Sequence, residues 1–219
     1  HFDSIIRPGD AIPESTEEID HGLQVLTSSP LVLLNRSDLL SREQARYRLG
    51  RPLDCRAVYV QLGAGQINDI SSEIRMTLDA LLKYDNLHVI LGESMIGDRI
   101  DIEMPNLHII RDYPNSQYFN GFDAVIQAGG YNSFHETRAF GMPALFYPNM
   151  ETGMDDQLAR CRVAEKEGWG YVVQNRTKQQ IQQGIENLLN HTSKQEPREY
   201  VNGADELSGK LISQIGVID

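Results

Sequence analysis

The sequence holds two cysteines and one tryptophan in 219 residues. Cys55 and Cys161 lie far apart and form no C-x-x-C unit, so neither a zinc site nor a disulfide framework follows. Two reduced thiols fit a cytoplasmic protein. No apolar run approaches the ~20 residues that cross a bilayer, and the N-terminus lacks the basic-then-apolar order of a signal peptide. Basic residues are also in deficit. Twenty Lys and Arg face 31 Asp and Glu, a formal net charge of -11. That balance argues against charge-driven binding to nucleic acid or anionic lipid. A phosphate ligand would have to be held by backbone N–H groups and helix N-termini rather than by a field of lysines. Absent as well are a P-loop Lys-Ser/Thr pair, an H-E-x-x-H helix and a nucleophile elbow.

What remains has an ordinary globular composition, 40% hydrophobic and 23% charged. Residues 1–40 read as a linker and the remnant of a missing domain. A short strand near Ser4, Ile5 and Ile6 stops at the Pro8-Gly9-Asp10 turn signal. His1 is not an ordinary start residue, so the chain reads as beginning inside a longer protein or just after a removed tag. Ser41 and Gln44 form a capping box, and Gly50 is placed to end the short helix between them.

From Ala57 onward, short apolar strands alternate with amphipathic helices. Strands are expected at 57–62, 87–91, 107–110, 123–127, 144–147 and 171–173. Helices are expected at about 41–50, 70–83, 134–140, 156–167, 178–189 and 204–215. Alternation of this kind predicts an α/β fold, a doubly wound parallel sheet of about six strands with helices on both faces. In such folds ligands bind beyond the carboxyl ends of the strands, where turns lead into helices. Three units are expected: 1–40, then the ligand-binding domain at 41–190, then a tail and helix at 191–219 that packs back on the other half.

Three of those turns carry candidate chemistry. Gly63-Ala64-Gly65-Gln66 begins a G-x-G pattern but has Asn68 where a third glycine would stand; it serves equally as a tight turn capped by Asn68 or Asp69. Gly129, Gly130, Asn132 and Ser133 follow an apolar strand and open a helix, offering N–H, amide and hydroxyl groups to an anion. Ser133 and Glu136 have capping-box spacing, which would give Glu136 a purely local role worth ~1 kcal/mol. A carboxylate one turn into that helix is otherwise a poor partner for phosphate and a good acceptor for two vicinal ribose hydroxyls. Asp156 and Gln157, after Pro148, either complement a helix dipole or bind sugar hydroxyls. Adjacent Asp155 and Asp156 diverge on a helix and make no metal site. His135 reads as a helix-surface histidine and is a weak candidate for acid–base work. Arg111, Asp112 and Tyr113 follow the third of the expected strands and share the ligand edge. His88 and His108 read as packing or edge residues within strands. Trp169, between two glycines, reads as an anchor for a helix-to-strand turn.

Taken in order, the run from Phe122 through Gln127-Ala128-Gly129-Gly130-Tyr131-Asn132-Ser133-Phe134-His135-Glu136, then Gly141-Met142-Pro143, a strand ending in Pro148, and Asp156-Gln157, resembles the C-terminal donor domain of UDP-sugar glycosyltransferases with the GT-B fold, the MurG-like and antibiotic or lipid enzymes among them. The resemblance covers about residues 57–189. It implies that Gly129, Gly130, Asn132 and Ser133 bind the donor diphosphate, that Glu136 holds the ribose and that Asp156 and Gln157 contact the transferred sugar. Gly63, Ala64, Gly65 and Gln66 would form the loop facing the interdomain cleft, and Arg111, Asp112 and Tyr113 would lie beside the base. It further implies a metal-independent transferase with no cofactor, whose catalytic base and acceptor site belong to an N-terminal domain or separate subunit. Contact with a membrane surface would come through that other half. Ala128 stands where many relatives have histidine, which suits the MurG-like branch. Two other implied readings are a nucleotide-sugar hydrolase or epimerase, with His135 as its acid or base, and a non-catalytic nucleotide-sugar-binding subunit.

Overall fold

Strand β3 (Arg56–Gln61) is buried on both faces, Ala57 and Tyr59 on one side and Val58 and Val60 on the other. A strand of that kind has to sit in the interior of a parallel sheet. The computed structural model places it there and describes residues 4–13, 23–62, 70–93, 101–151, 155–191 and 200–215. Two strands precede it, β1 (Ser4–Pro8) and β2 (Gln24–Ser28). After it come β4 (Leu87–Gly92), β5 (Leu107–Ile110), β6 (Ala124–Gln127), β7 (Ala144–Phe146) and β8 (Gly170–Val172). The last six form one sheet, in the order β5-β4-β3-β6-β7-β8, with every pair parallel. Counted from β3, that is the 3-2-1-4-5-6 order of a doubly wound dinucleotide-binding fold.

The helices are α1 (Arg42–Arg48), α2 (Ile70–Leu81), α3 (Tyr131–Ala139), α4 (Gln157–Lys166), α5 (Lys178–Leu189) and α6 (Gly203–Ile215). Each face of the sheet has its own core. On one, Val58, Val60 and Leu145 meet Ile74 and Leu78 of α2 and Ile181, Ile185 and Leu188 of α5. The other is aromatic and joins Tyr59, Phe119, Phe122, Phe134, Phe146 and Trp169. There Tyr59 stacks on Phe122 with centroids 4.8 Å apart, a geometry that adds to the burial of apolar area. Trp169 is buried in this cluster, at the turn from α4 into β8.

Local signals set several boundaries. Ser41 accepts from the Gln44 N–H and the Gln44 side chain returns to the Ser41 N–H, the reciprocal box expected from sequence. Helix α1 then stops at Gly50, whose φ of +61° suits a residue without Cβ. Buried Arg46 anchors α1 to the sheet through Asp123, which also accepts from the Ala57 N–H.

Strands β1 and β2 make a separate parallel pair, from Ser4 opposite Gln24 to Pro8 opposite Ser28. Helix α6 lies against β2. Glu206 accepts from the Ser29 N–H at 2.7 Å, and Asn202 bonds both the N–H and the carbonyl of Val32. The N-terminal and C-terminal segments of the described chain are thereby joined.

Candidate functional site

Chain connections from β3 and from β6 run to opposite sides of the sheet, so a crevice opens where these neighbours end. Gln61 and Gln127 are register partners at that point, polar residues closing two apolar strands. Beyond them lies a cleft of about 540 Å³. Its floor includes Tyr59, Gln61 and Gln127, one wall carries Asp112 to Ser116, and another carries Asn132, Ser133 and Glu136. Leu31, Val32 and Leu33 cover part of it, and Glu93, at the carboxyl end of β4, borders the base of the wall.

Helix α3 opens on this cleft. It begins at Tyr131, three residues earlier than its apolar pattern suggested, with Gly130 as N-cap and no side-chain cap bond. The Ser133–Glu136 capping box does not form, because Ser133 is already inside the helix and its carbonyl accepts from the buried Gln127 amide. Among the described residues no side chain caps the first-turn N–H groups of α3, which stand in the position that attracts an anion.

Glu136 instead reaches across the cleft, accepting from Ser116 Oγ at 3.1 Å. Burial pushes its carboxyl above the ordinary range, against the hydrogen bonds from the Ser116 hydroxyl and the Leu33 backbone that pull it down. Asn115 donates from Nδ2 to the Tyr59 hydroxyl at 3.0 Å, and Tyr59 donates to Gln61 Oε1 at 3.0 Å. Asn115 Oδ1 is buried without a partner among the described residues, an acceptor available to a donor on a ligand. Arg111 turns back to Glu93 at 3.7 Å, while Tyr113 stands largely exposed at the mouth.

Other candidates are held elsewhere. Gly129 has a φ of +86°, and a Cβ there would sit 2.3 Å from Cys161 Sγ. Asp156 caps α4 by accepting from the Ala159 N–H at 2.9 Å. The Gln157 side chain accepts from the Asn149 N–H and donates to Asp155, with its amide nitrogen beside Gly130. His135 is buried, not on the helix surface: its Nε2 lies 3.0 Å from Asp10, and it is not among the residues lining the cleft. Gly63, Ala64, Gly65 and Gln66 lie outside the described residues.

The structure thus brings Asp112, Tyr113, Asn132, Ser133 and Glu136 around one cleft, while Gly129 and Gly130 are not among its lining residues and immediately precede the helix that carries three of them. Sequence reasoning missed Tyr59, Gln61, Glu93, Asn115, Ser116 and Gln127. Polar residues at the carboxyl ends of β3, β4, β5 and β6 were the available signal.

The chain matches no protein-family model. A stretch of 100 residues, 44% of this chain, is 29% identical to an uncharacterized glycosyltransferase of Methanosarcina acetivorans and covers 25% of that protein. Among solved structures, the calicheamicin glycosyltransferase CalG4 aligns over 87% of this chain and 49% of its own, with a TM-score of 0.59 and 17% identity. Spinosyn forosaminyltransferase SpnP aligns over 87% and 51%, with a TM-score of 0.59 and 15% identity. Glycosyltransferase VinC, solved in complex with DTDP, aligns over 86% and 51%, with a TM-score of 0.57 and 17% identity. The chain thus spans a quarter of the curated relative and about half of each of these structures. Its six-stranded unit, with the cleft at the strand-order reversal, has the Rossmann-like fold of the C-terminal half of GT-B glycosyltransferases.

Proposed function

We propose that this chain is the donor-binding half of a glycosyltransferase, taking a UDP-sugar and presenting it to an acceptor hydroxyl held by a second domain or separate subunit. The observation that carries this reading is the pairing, in one cleft, of the uncapped α3 N-terminus with the half-buried Glu136 carboxylate. The diphosphate lies on the backbone N–H groups of the Gly129-Gly130 turn and on Asn132 and Ser133. Glu136 accepts from the ribose hydroxyls. The base lies beside Arg111, Asp112 and Tyr113, and the sugar points toward Asp156 and Gln157. VinC and the spinosyn rhamnosyltransferase SpnG, solved with DTDP and thymidine diphosphate, support a pyrimidine nucleoside diphosphate as the ligand class.

In this arrangement the helix N-terminus is a fixed dipole aimed at charge that develops on the departing diphosphate. Catalysis then needs no metal from this half, and the base that deprotonates the acceptor belongs to the other half. The hydrolase or epimerase reading loses its acid–base candidate, since His135 faces Asp10 rather than the cleft.

Calorimetric titration with UDP, TDP, ADP and GDP, with EDTA present, tests the proposal. Selective binding of the pyrimidine diphosphates, weakened by Glu136→Ala, is expected. Equal binding of all four, or no effect of the substitution, would sink it.

A further inference from the structure

Against the glycine turn, and outside the lining of the cleft, lies a buried polar cluster that the proposed chemistry does not use. Arg160 of α4 is its centre, with its side chain only 3% exposed. Nε donates to Asp10 Oδ1 at 3.0 Å and Nη2 to Asp10 Oδ2 at 2.7 Å, a two-pronged pair. Nη2 also donates to Asp155 at 2.7 Å. Nη1 donates to the Gly129 carbonyl at 3.2 Å.

Two neighbours on α3 complete the cluster. His135 Nε2 lies 3.0 Å from Asp10 Oδ1. Tyr131, the first residue of the helix, lies under the guanidinium, donates to the Gly9 carbonyl at 2.7 Å and accepts from the Leu31 N–H at 3.1 Å. Burial works to raise the Asp10 carboxyl, but the hydrogen bonds from His135 and Arg160 outweigh it and keep Asp10 ionised.

A peptide group is planar, so fixing the Gly129 carbonyl fixes the Gly130 N–H on its opposite side. Gly129 is in the left-handed region, where nothing in its own side chain restrains it. We infer that Arg160 is a positioning residue for the anion-binding turn, orienting its N–H groups through the Gly129 carbonyl and, through Asp10, tying the turn to residues 4–13. The inference rests on the donor-site reading for its effect on ligand and on geometry alone for its effect on the turn. Asp10 and Arg160 lie 150 residues apart in sequence, so this ion pair, beside the Tyr131–Gly9 and His135–Asp10 contacts, couples the β1 segment to the donor turn.

The test compares the full chain with Arg160→Lys, which keeps the charge and loses the planar fork, and with Asp10→Asn. Two ligands are titrated: UDP, and uridine by ligand-observed NMR. Loss of an orienting charged hydrogen bond is expected to weaken UDP by roughly tenfold while uridine binding is unchanged. Asp10→Asn should move the same ratio by less. A general loosening of the fold would weaken both ligands together, and an unchanged UDP-to-uridine ratio in a folded Arg160→Lys would overturn the inference. Amide hydrogen exchange is read on the same samples without nucleotide. Faster exchange confined to residues 130–133 in Arg160→Lys supports the inference even if the wild-type chain binds no nucleotide, a result that would instead remove the donor-site reading. Unaltered exchange there overturns it.

Discussion

Ser116 Oγ and Glu136 Oε1 meet at 3.1 Å, joining the segment after β5 to the helix after β6 across the mouth of the strand-order reversal. The contact holds a carboxylate in a place that disfavours its charge. Glu136 therefore imposes a stability cost that the fold alone does not require.

The sign of that cost gives a prediction. The native Glu136 carboxyl holds its proton more tightly than the unfolded one. Its contribution is fully present below the ordinary carboxylate range and is lost as pH rises through the raised native value. Glu136→Gln should thus raise Tm at neutral pH, with the gain vanishing toward about pH 4. The same substitution should weaken UDP by roughly tenfold or more, the scale of a hydrogen bond to a charged acceptor. TDP, with no 2′-hydroxyl, should lose less. Thermal melts across pH, beside calorimetry with both nucleotides, check it. A Tm that falls at neutral pH would show that the carboxylate is structural.

Gly129→Ala combines two penalties, a positive φ and a Cβ placed 2.3 Å from Cys161 Sγ. Gly50→Ala has only the first, because nothing lies within 4 Å of its Cβ. Denaturant titration should show a loss of about 1 kcal/mol at Gly50 and about 2 kcal/mol or more at Gly129. Removing the thiol in Gly129→Ala/Cys161→Ala should return part of the Gly129 loss. Equal losses at the two glycines would mean that the close approach to Cys161 is relieved at no cost.

The apolar periods made the six-stranded sheet legible, since each of its strands is a short run bounded by turn residues, as at Ala124–Gln127 before Gly129. Strand β2 was not legible. Only Leu26 of Gln24–Ser28 is buried, and the strand exists because β1 lies beside it. Motif order indicated Asn132, Ser133 and Glu136, but not that Glu136 would bond Ser116, because that contact joins two different βα connections. His135 misled for a similar reason. Its partner Asp10 is 125 residues away, and no local pattern distinguishes a buried histidine with a distant carboxylate from an exposed one.

Asp156 has two candidate duties that one substitution separates. It caps α4, and in the proposed function it faces the transferred sugar. Asp156→Ala should cost ~1 kcal/mol in stability through the lost cap. Asp156→Ser keeps a capping oxygen and should be close to wild type in denaturation. If Asp156 also binds sugar, the Ser variant should bind UDP normally and a UDP-sugar more weakly. Identical affinity for both ligands would leave the residue with its cap alone.

Asn202 holds the cover of the cleft from the other end of the chain. Its Oδ1 accepts from the Val32 N–H at 3.3 Å and its Nδ2 donates to the Val32 carbonyl at 3.2 Å, both in buried surroundings. Val32, between Leu31 and Leu33, belongs to the segment covering the cleft. Asn202→Ala leaves two buried backbone groups without that partner, at a cost of about 1–3 kcal/mol for each unsatisfied group. Stability should fall accordingly, and the Val32 amide should exchange faster, while amides of the central strand β3 keep their order of protection. Nucleotide affinity should fall as well, since the cover over Glu136 is no longer fixed. Loss of stability with unchanged Val32 exchange and unchanged UDP binding would show that Asn202 stabilises the chain without holding the wall of the site.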